Sequence, residues 1–334
     1  MTAAGGFLGH RVVERLAAHG YTDVRCLLRN RVKSALLDST AARFPATRLE
    51  YVYGNLSSKT DCARAVEGVE LVFHLASAMK GGAADMFQST VVGGRNLLDA
   101  IGCHKPMRIV LVSSFGVYGV AGMRRGAQVD ESTPLEPNPA QRDVYSYTKL
   151  RQEQLFREAQ ERLGFELVVL RPGVIYGPGG GHLSGRVGLN LFGIFLHLGG
   201  SNLLPLTYVE NCAEAIVVAG TSPQAAGRAY NVHDDNLPTS RQYLRLYKRN
   251  VKSLRSVWVP YTVVKVLSRL MEKYHRWSQG QLPAIFTVYK SASLWGGNRF
   301  SNERLKATGW QQIVPTSEGL RRTFEAFRAD GAGR

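Results

Sequence analysis

The sequence predicts an α/β protein: a doubly wound, parallel Rossmann sheet with a small C-terminal lobe for substrate. Three observations predict it. Short β-branched runs alternate with helical patterns from Val24 to Leu170, the signature of a parallel sheet covered by helices on both faces. A glycine-rich turn, Gly5-Gly6-Phe7-Leu8-Gly9, opens the first helix. A buried-type strand, Arg108 to Val112, ends in the hydroxyls of Ser113 and Ser114, and open α/β sheets bind ligands at the carboxyl ends of their strands.

The elements follow in order. Phe7 to His19 reads as a helix stopped by Gly20. Strands are expected at Val24–Leu28, Leu49–Tyr53, Leu71–Leu75, Arg108–Val112 and Glu166–Leu170, with helices at Thr60–Val66, Val91–Ile101 and from Tyr145 onward. Residues 1–180 form the dinucleotide-binding part, completed by strands from 205–235, and 181–330 form mainly the substrate lobe. A doubly wound sheet places its first strand at the centre, yet no run of strand length precedes the glycine turn. Either the chain starts downstream of that strand, or the nucleotide site is impaired.

Composition sets the class. With 334 residues, 44% apolar and 20% charged, the chain is long enough for a large core and ordinary for a globular protein. The cysteines Cys26, Cys62, Cys103 and Cys212 are scattered, which excludes a disulfide framework or metal-ligand spacing and reads as small core residues in a reducing cytoplasm. The net charge of +16 is concentrated between Arg241 and Arg276. It fits an anionic substrate, an anionic membrane surface or a solvated basic face; no nucleic-acid-binding signature accompanies it. The apolar stretch from Val187 to Leu198 is too short to span a bilayer, where ~20 residues are needed. Val257 to Trp277 carries Lys265, Arg269, Glu272 and Lys273, so it reads as an amphipathic helix, packed on the core in preference to lying on a membrane.

The chemistry is carried by Tyr145-Ser146-Tyr147-Thr148-Lys149. On a helix, Tyr145 and Lys149 share one face. An ammonium near the phenol favours the phenolate and lowers a pKa of about 10. A phenol so tuned passes a proton to or from a substrate oxygen, which belongs with hydride transfer at a secondary alcohol or ketone. Ser114 is placed to hold the same oxygen. At the N-terminus, glycines let the backbone approach a pyrophosphate, and the helix start supplies free amides. The residue that reads the adenosine ribose belongs at the end of the next strand. There Leu28 stands in the place of an acid and Arg29 follows. A guanidinium pairs with a 2′-phosphate, so NADP is favoured over NAD.

Taken together these residues resemble the extended short-chain dehydrogenase/reductases, the NAD-dependent epimerase/dehydratase superfamily. Gly6-Phe7-Leu8-Gly9 resembles the second half of its glycine turn, whose first glycine is here Ala3. Gly54-Asn55-Leu56 resembles the element after its third strand, with Asn55 in place of an aspartate. His74-Leu75-Ala76 is similar to the strand end bordering the cofactor, and Leu170 to Gly179 to the loop at the nicotinamide. The resemblance implies Ser114, Tyr145 and Lys149 as catalytic residues, with Lys149 also holding the nicotinamide ribose. It implies cofactor contacts from Gly5, Gly6, Phe7, Leu8, Gly9, Arg29, Asn55, Leu56, Leu75, Ala76, Pro172 and Val174. Substrate contacts are expected from Ser113, Tyr176 and Arg186. A homodimer built on the helices bearing Val91 and Tyr145 is implied by the family alone.

The substrate is a small molecule of one of two kinds. The stretch Leu203 to Asn211 lacks the arginine of sugar-nucleotide members and resembles the three-beta-hydroxysteroid dehydrogenase branch; Phe192, Ile194, Phe195 and Leu196 then line an apolar pocket or belong to the core. Arg186 and the basic C-terminal region fit a nucleotide diphosphate instead. A cofactor-binding sensor or scaffold without turnover is the alternative function, motivated by the damaged nucleotide turn.

Overall fold

The computed structural model describes residues 1–103, 108–277 and 287–332. The strands are β1 (Asp23–Leu28), β2 (Arg48–Tyr53), β3 (Leu71–His74), β4 (Arg108–Val112), β5 (Gln128–Val129), β6 (Glu166–Pro172), β7 (Val174–Tyr176), β8 (Gly188–Leu191), β9 (Ile194–His197), β10 (Leu206–Tyr208), β11 (Ala229–Val232), β12 (Ser256–Trp258) and β13 (Arg299–Phe300). The helices are α1 (Gly9–Ala18), α2 (Ala35–Arg43), α3 (Lys59–Val66), α4 (Ala83–Phe87), α5 (Gly93–Gly102), α6 (Val144–Leu163), α7 (Val209–Thr221), α8 (Ser240–Asn250), α9 (Tyr261–Trp277), α10 (Val288–Trp295), α11 (Glu303–Lys306) and α12 (Thr316–Ala332).

The main sheet is parallel. β11, β6, β4 and β3 lie side by side, and β1 pairs with β2. The two groups are joined by Thr2, which bridges Leu27 on one side and His74 on the other. The strand expected to be missing is thus represented by a single central rung: Thr2 donates its amide to Phe73 and Leu27 donates to Met1. With Thr2 counted as the first strand, the order is that of a doubly wound sheet. Upstream of that rung the Met1 amine donates to the Arg25 carbonyl at 2.6 Å, and burial pushes its pKa below the ordinary value.

Alternation along each strand sorts the core into two layers. Val24, Cys26, Leu28, Val110, Val112, Val168 and Leu170 face α1 and α7. Leu27, Ile109, Leu111, Leu167 and Val169 face α3, α5 and α6. The strands expected from β-branched runs all form, within two residues of their expected ends. The helix expected over Val91–Ile101 is α5, preceded by a π-type turn at Gln88–Val92.

Three expectations are corrected here. Cys103 is exposed, unlike the other three cysteines. Val187 to Leu198 is an antiparallel hairpin, β8–β9, because Phe192 and Gly193, with φ of 47° and 80°, make a tight two-residue turn. Its four apolar candidates share no pocket: Phe195 is core, whereas Phe192 is 97% exposed and Ile194 is exposed as well. The helix α9 does not bury its apolar side. Among its described residues only Val264 and Ser268 are buried, and Val263, Val266, Leu267, Leu270, Tyr274 and Trp277 face outward. The side that is buried, at Val264, packs on α10 through Trp295.

Candidate active site

The first part of the site is a cleft of about 240 Å³ at the carboxyl ends of β1, β2 and β3, lined by Thr2, Ala3, Gly5, Gly6, Leu28, Arg29, Gly54, Asn55, Leu56, Ala76, Ser77 and Ser89 among others. Six of the residues expected at a cofactor, Gly5, Gly6, Arg29, Asn55, Leu56 and Ala76, therefore converge. The glycine turn is as tight as that role requires. A Cβ at Gly9 would stand 2.0 Å from the Ala3 carbonyl oxygen, and one at Gly6 3.1 Å from it. Leu8 caps α1, whose start faces the cleft. Phe7 turns away and packs on Gly179 and Gly180, closing the turn against the loop after β7. Ala3, standing for the family's first glycine, is forced to φ 55°, a left-handed conformation that costs a Cβ-bearing residue about 1–2 kcal/mol. These residues fit a dinucleotide: a close backbone cradle, a helix N-terminus and an exposed cation, Arg29, at the strand end.

The floor of the cleft is tied to α6 by a buried relay. The hydroxyl of Thr2 accepts from the amides of Leu75 and Ala76 at 3.1 and 3.2 Å. It also meets His74 Nδ1 at 3.0 Å. On the other side of that ring, the Gln152 amide nitrogen meets Nε2 at 3.0 Å, and the Gln152 carbonyl accepts from Lys149 Nζ at 2.7 Å. The lysine needs the amide oxygen, so the amide nitrogen faces His74 and the ring proton sits on Nδ1, donated to Thr2. The ring is neutral: burial, and then the charge of Lys149, push its pKa down to about 3.

α6 positions the catalytic candidates. Asp143 caps it, accepting from the Ser146 amide at 3.0 Å and from the Ser146 hydroxyl at 2.8 Å, and Gly164 in a left-handed conformation ends it. Tyr145 therefore stands in the first turn, over the end of β4. There Ser114, at the start of a 3₁₀ turn, accepts from the Gly116 amide. Burial raises the phenol of Tyr145, and a hydrogen bond with Ser114 acts the other way. This corrects the expected tuning. Lys149 is not among the groups acting on Tyr145, because its amine is turned inward to the Val112 carbonyl at 2.5 Å and to Gln152. Burial holds that amine at about 7, with Glu153 pulling it back up.

Two expected substrate residues lie elsewhere. Ser113 is buried and donates to Glu153 at 2.6 Å. Glu153 is clasped by Arg171 at 2.5 and 3.2 Å, and Arg171 donates to the Tyr118 hydroxyl at 2.9 Å. Ser113 thus belongs to a charge-paired framework behind the site. Tyr176 is buried too, donating to Asp234 at 2.9 Å, whose carboxyl is raised by burial to about 6. Pro172 ends β6 inside the core, and Val174 pairs with Leu206 in β10. Arg186 does approach the site. Arg142 and Asp143, three and two residues ahead of Tyr145, act on its guanidinium: burial, then the like charge of Arg142, lowers it to about 10, and Asp143 pulls it back up. Sequence reasoning missed Thr2, Gln152 and Glu153. The last two were within reach, since they stand three and four residues past Lys149 on the same helical face.

Comparison with known proteins bears on this geometry. Residues 1–232 match the NAD dependent epimerase/dehydratase family. The chain belongs to that family. Within it, the epimerase/dehydratase chain is 27% identical over its whole length to a 3beta-hydroxysteroid-dehydrogenase/decarboxylase of Arabidopsis thaliana, spanning 62% of that relative. It is 26% identical, over 96% of its length and 88% of the relative's, to a sterol-4-alpha-carboxylate 3-dehydrogenase, decarboxylating, of Mus musculus. The fold is that of UDP-glucose 4-epimerase from Thermus thermophilus, solved with NAD: the TM-score is 0.68 at 22% identity, covering 98% of this chain and 97% of the other.

Proposed function

We infer that this epimerase/dehydratase-family chain is an NAD(P)-dependent oxidoreductase acting at a secondary alcohol or ketone of a sterol-like substrate that carries a carboxylate close to the reacting carbon. The observation that carries the chemistry is the pairing of the Tyr145 phenol with the Ser114 hydroxyl at the end of β4, on a helix tied through Lys149, Gln152 and His74 to the wall of the nucleotide cleft.

When bound, the dinucleotide exchanges a hydride with the carbinol carbon. Ser114 holds the substrate oxygen, and Tyr145 gives or takes its proton. Lys149, with an amine at about 7, changes charge with a modest change of partner, which suits a group that moves between Gln152 and the nicotinamide ribose. Arg29 favours the 2′-phosphate of NADP. Arg186 supports an anionic substrate: it is a half-buried guanidinium beside Tyr145's own turn, and guanidinium pairs readily with carboxylate. The decarboxylating activities named for the two relatives fit such a substrate, because oxidation beside a carboxylate-bearing carbon gives a β-keto acid, which loses carbon dioxide.

Replacing Tyr145 by Phe tests the assignment. Hydride transfer, from NADPH to a 3-oxo acid or from a 3-hydroxy acid to oxidised NADP, is expected to fall about 10²–10⁴-fold, with the nucleotide still bound; undiminished turnover would overturn it. A second reading, a cofactor-binding protein without turnover, is favoured by the inward turn of the Lys149 amine. Nucleotide binding with no reaction, neither of ketones with NADPH nor of hydroxy acids with oxidised NADP, would select it.

A further inference from the structure

The outward side of α9 and the β8–β9 hairpin form one apolar surface that no described residue covers. Strand register joins them. Leu189 pairs with Leu196, and both pack against the cluster of Leu198, Val264 and Trp295 that α9 contributes to. Side chains alternate along a strand, so Leu191, Ile194 and Val257, which is in register with Leu196, lie on that same sheet face, beside the helix. Each is at least 44% exposed. On α9 the exposed apolar residues recur at helical spacing from Val263 to Trp277, with Trp277 at 77% exposure. The hairpin tip adds Phe192, 97% exposed in a left-handed conformation that a bulky side chain rarely adopts.

From these positions we propose that this face docks on the surface of an anionic lipid bilayer. The charge distribution selects that occupant over a second copy of the chain. At 100° per residue, Arg269 and Lys273 border the apolar stripe of α9 on the side away from the hairpin, and Lys252 and Arg255 are exposed ahead of β12. Such residues lay their stems along apolar surface and hold their charges at the headgroups. Two copies of a chain carrying +16 repel when these faces meet, whereas phosphatidylserine neutralises them. Docking is interfacial: no helix among the described residues is long and apolar enough to cross a membrane.

Co-sedimentation of the full chain with vesicles tests the proposal. Retention is expected on phosphatidylcholine mixed with phosphatidylserine, at least about tenfold weaker on phosphatidylcholine alone, given roughly 1 kcal/mol per basic residue near an anionic surface. The double variant Leu267→Ser, Leu270→Ser and the tip variant Phe192→Asn should each lose retention with unchanged circular dichroism, since these side chains are exposed. No retention on anionic vesicles, or retention indifferent to both variants, overturns the proposal. A dimer in solution that the same substitutions dissociate also overturns it, and assigns the face to a second copy.

Discussion

Lys149 donates to Gln152 at 2.7 Å, and through that contact the amine on α6 is coupled to the neutral ring of His74 and to Thr2 in the cleft at the ends of β1 to β3. The amine is buried, and burial brings its pKa from an ordinary 10.5 down to about 7. Between these two values the unfolded chain holds a proton at Lys149 that the folded chain has released. Stability therefore rises with pH across this window and is lost as pH falls to about 7. Replacing Lys149 by Met should flatten that slope. Urea unfolding midpoints of both proteins, measured at about pH 7 and at about pH 9, check it; an equal slope in the variant would remove Lys149 as its source.

Ala3 carries the strain of the nucleotide turn. Its φ of 55° suits glycine, and Ala3→Gly should raise stability by ~1 kcal/mol despite the added freedom of the unfolded chain. The converse change, Gly9→Ala, drives a Cβ to 2.0 Å from the Ala3 oxygen and should lower both stability and dinucleotide binding. Thermal unfolding with and without NADPH measures both effects.

Arg29 is exposed at the end of β1 on the rim of the cleft. A charged hydrogen bond to a 2′-phosphate is worth about 1.5–3 kcal/mol, so Arg29→Ala should weaken NADPH binding roughly 10- to 100-fold and leave NADH binding nearly unchanged. Equal losses for both nucleotides in a fluorescence titration would place the guanidinium away from the 2′ position.

Arg186 stands near Asp143 and Arg142 at the start of α6. Arg186→Met should raise KM for a hydroxy acid by about tenfold or more, the scale of one charge-assisted contact. The corresponding uncharged alcohol should be unaffected. A loss shared equally by acid and alcohol would mark the residue as structural.

Much of the fold was legible in the sequence. Strands β1 to β4 and β6 announce themselves through β-branched runs, and their two-residue alternation fixes which side chains face which helical layer. The spacing of Tyr145 and Lys149 put both on one helical face, and the glycine turn lines the cleft at the ends of β1 to β3. Local pattern carries this information because it follows from backbone periodicity alone. What it could not supply was the partner of each polar group. Ser113 read as a site hydroxyl, yet only the arrival of Glu153 and Arg171 from separate elements makes it part of a buried framework. Lys149 read as the tuner of Tyr145, yet the acceptors at Val112 and Gln152 decide where its amine points. The apolar side of α9 read as core, because amphipathic spacing does not say whether another element arrives to cover it. Sequence determined the elements and their faces; the packing of distant elements decided which hydroxyls, charges and apolar stripes were used up inside and which remained facing outward.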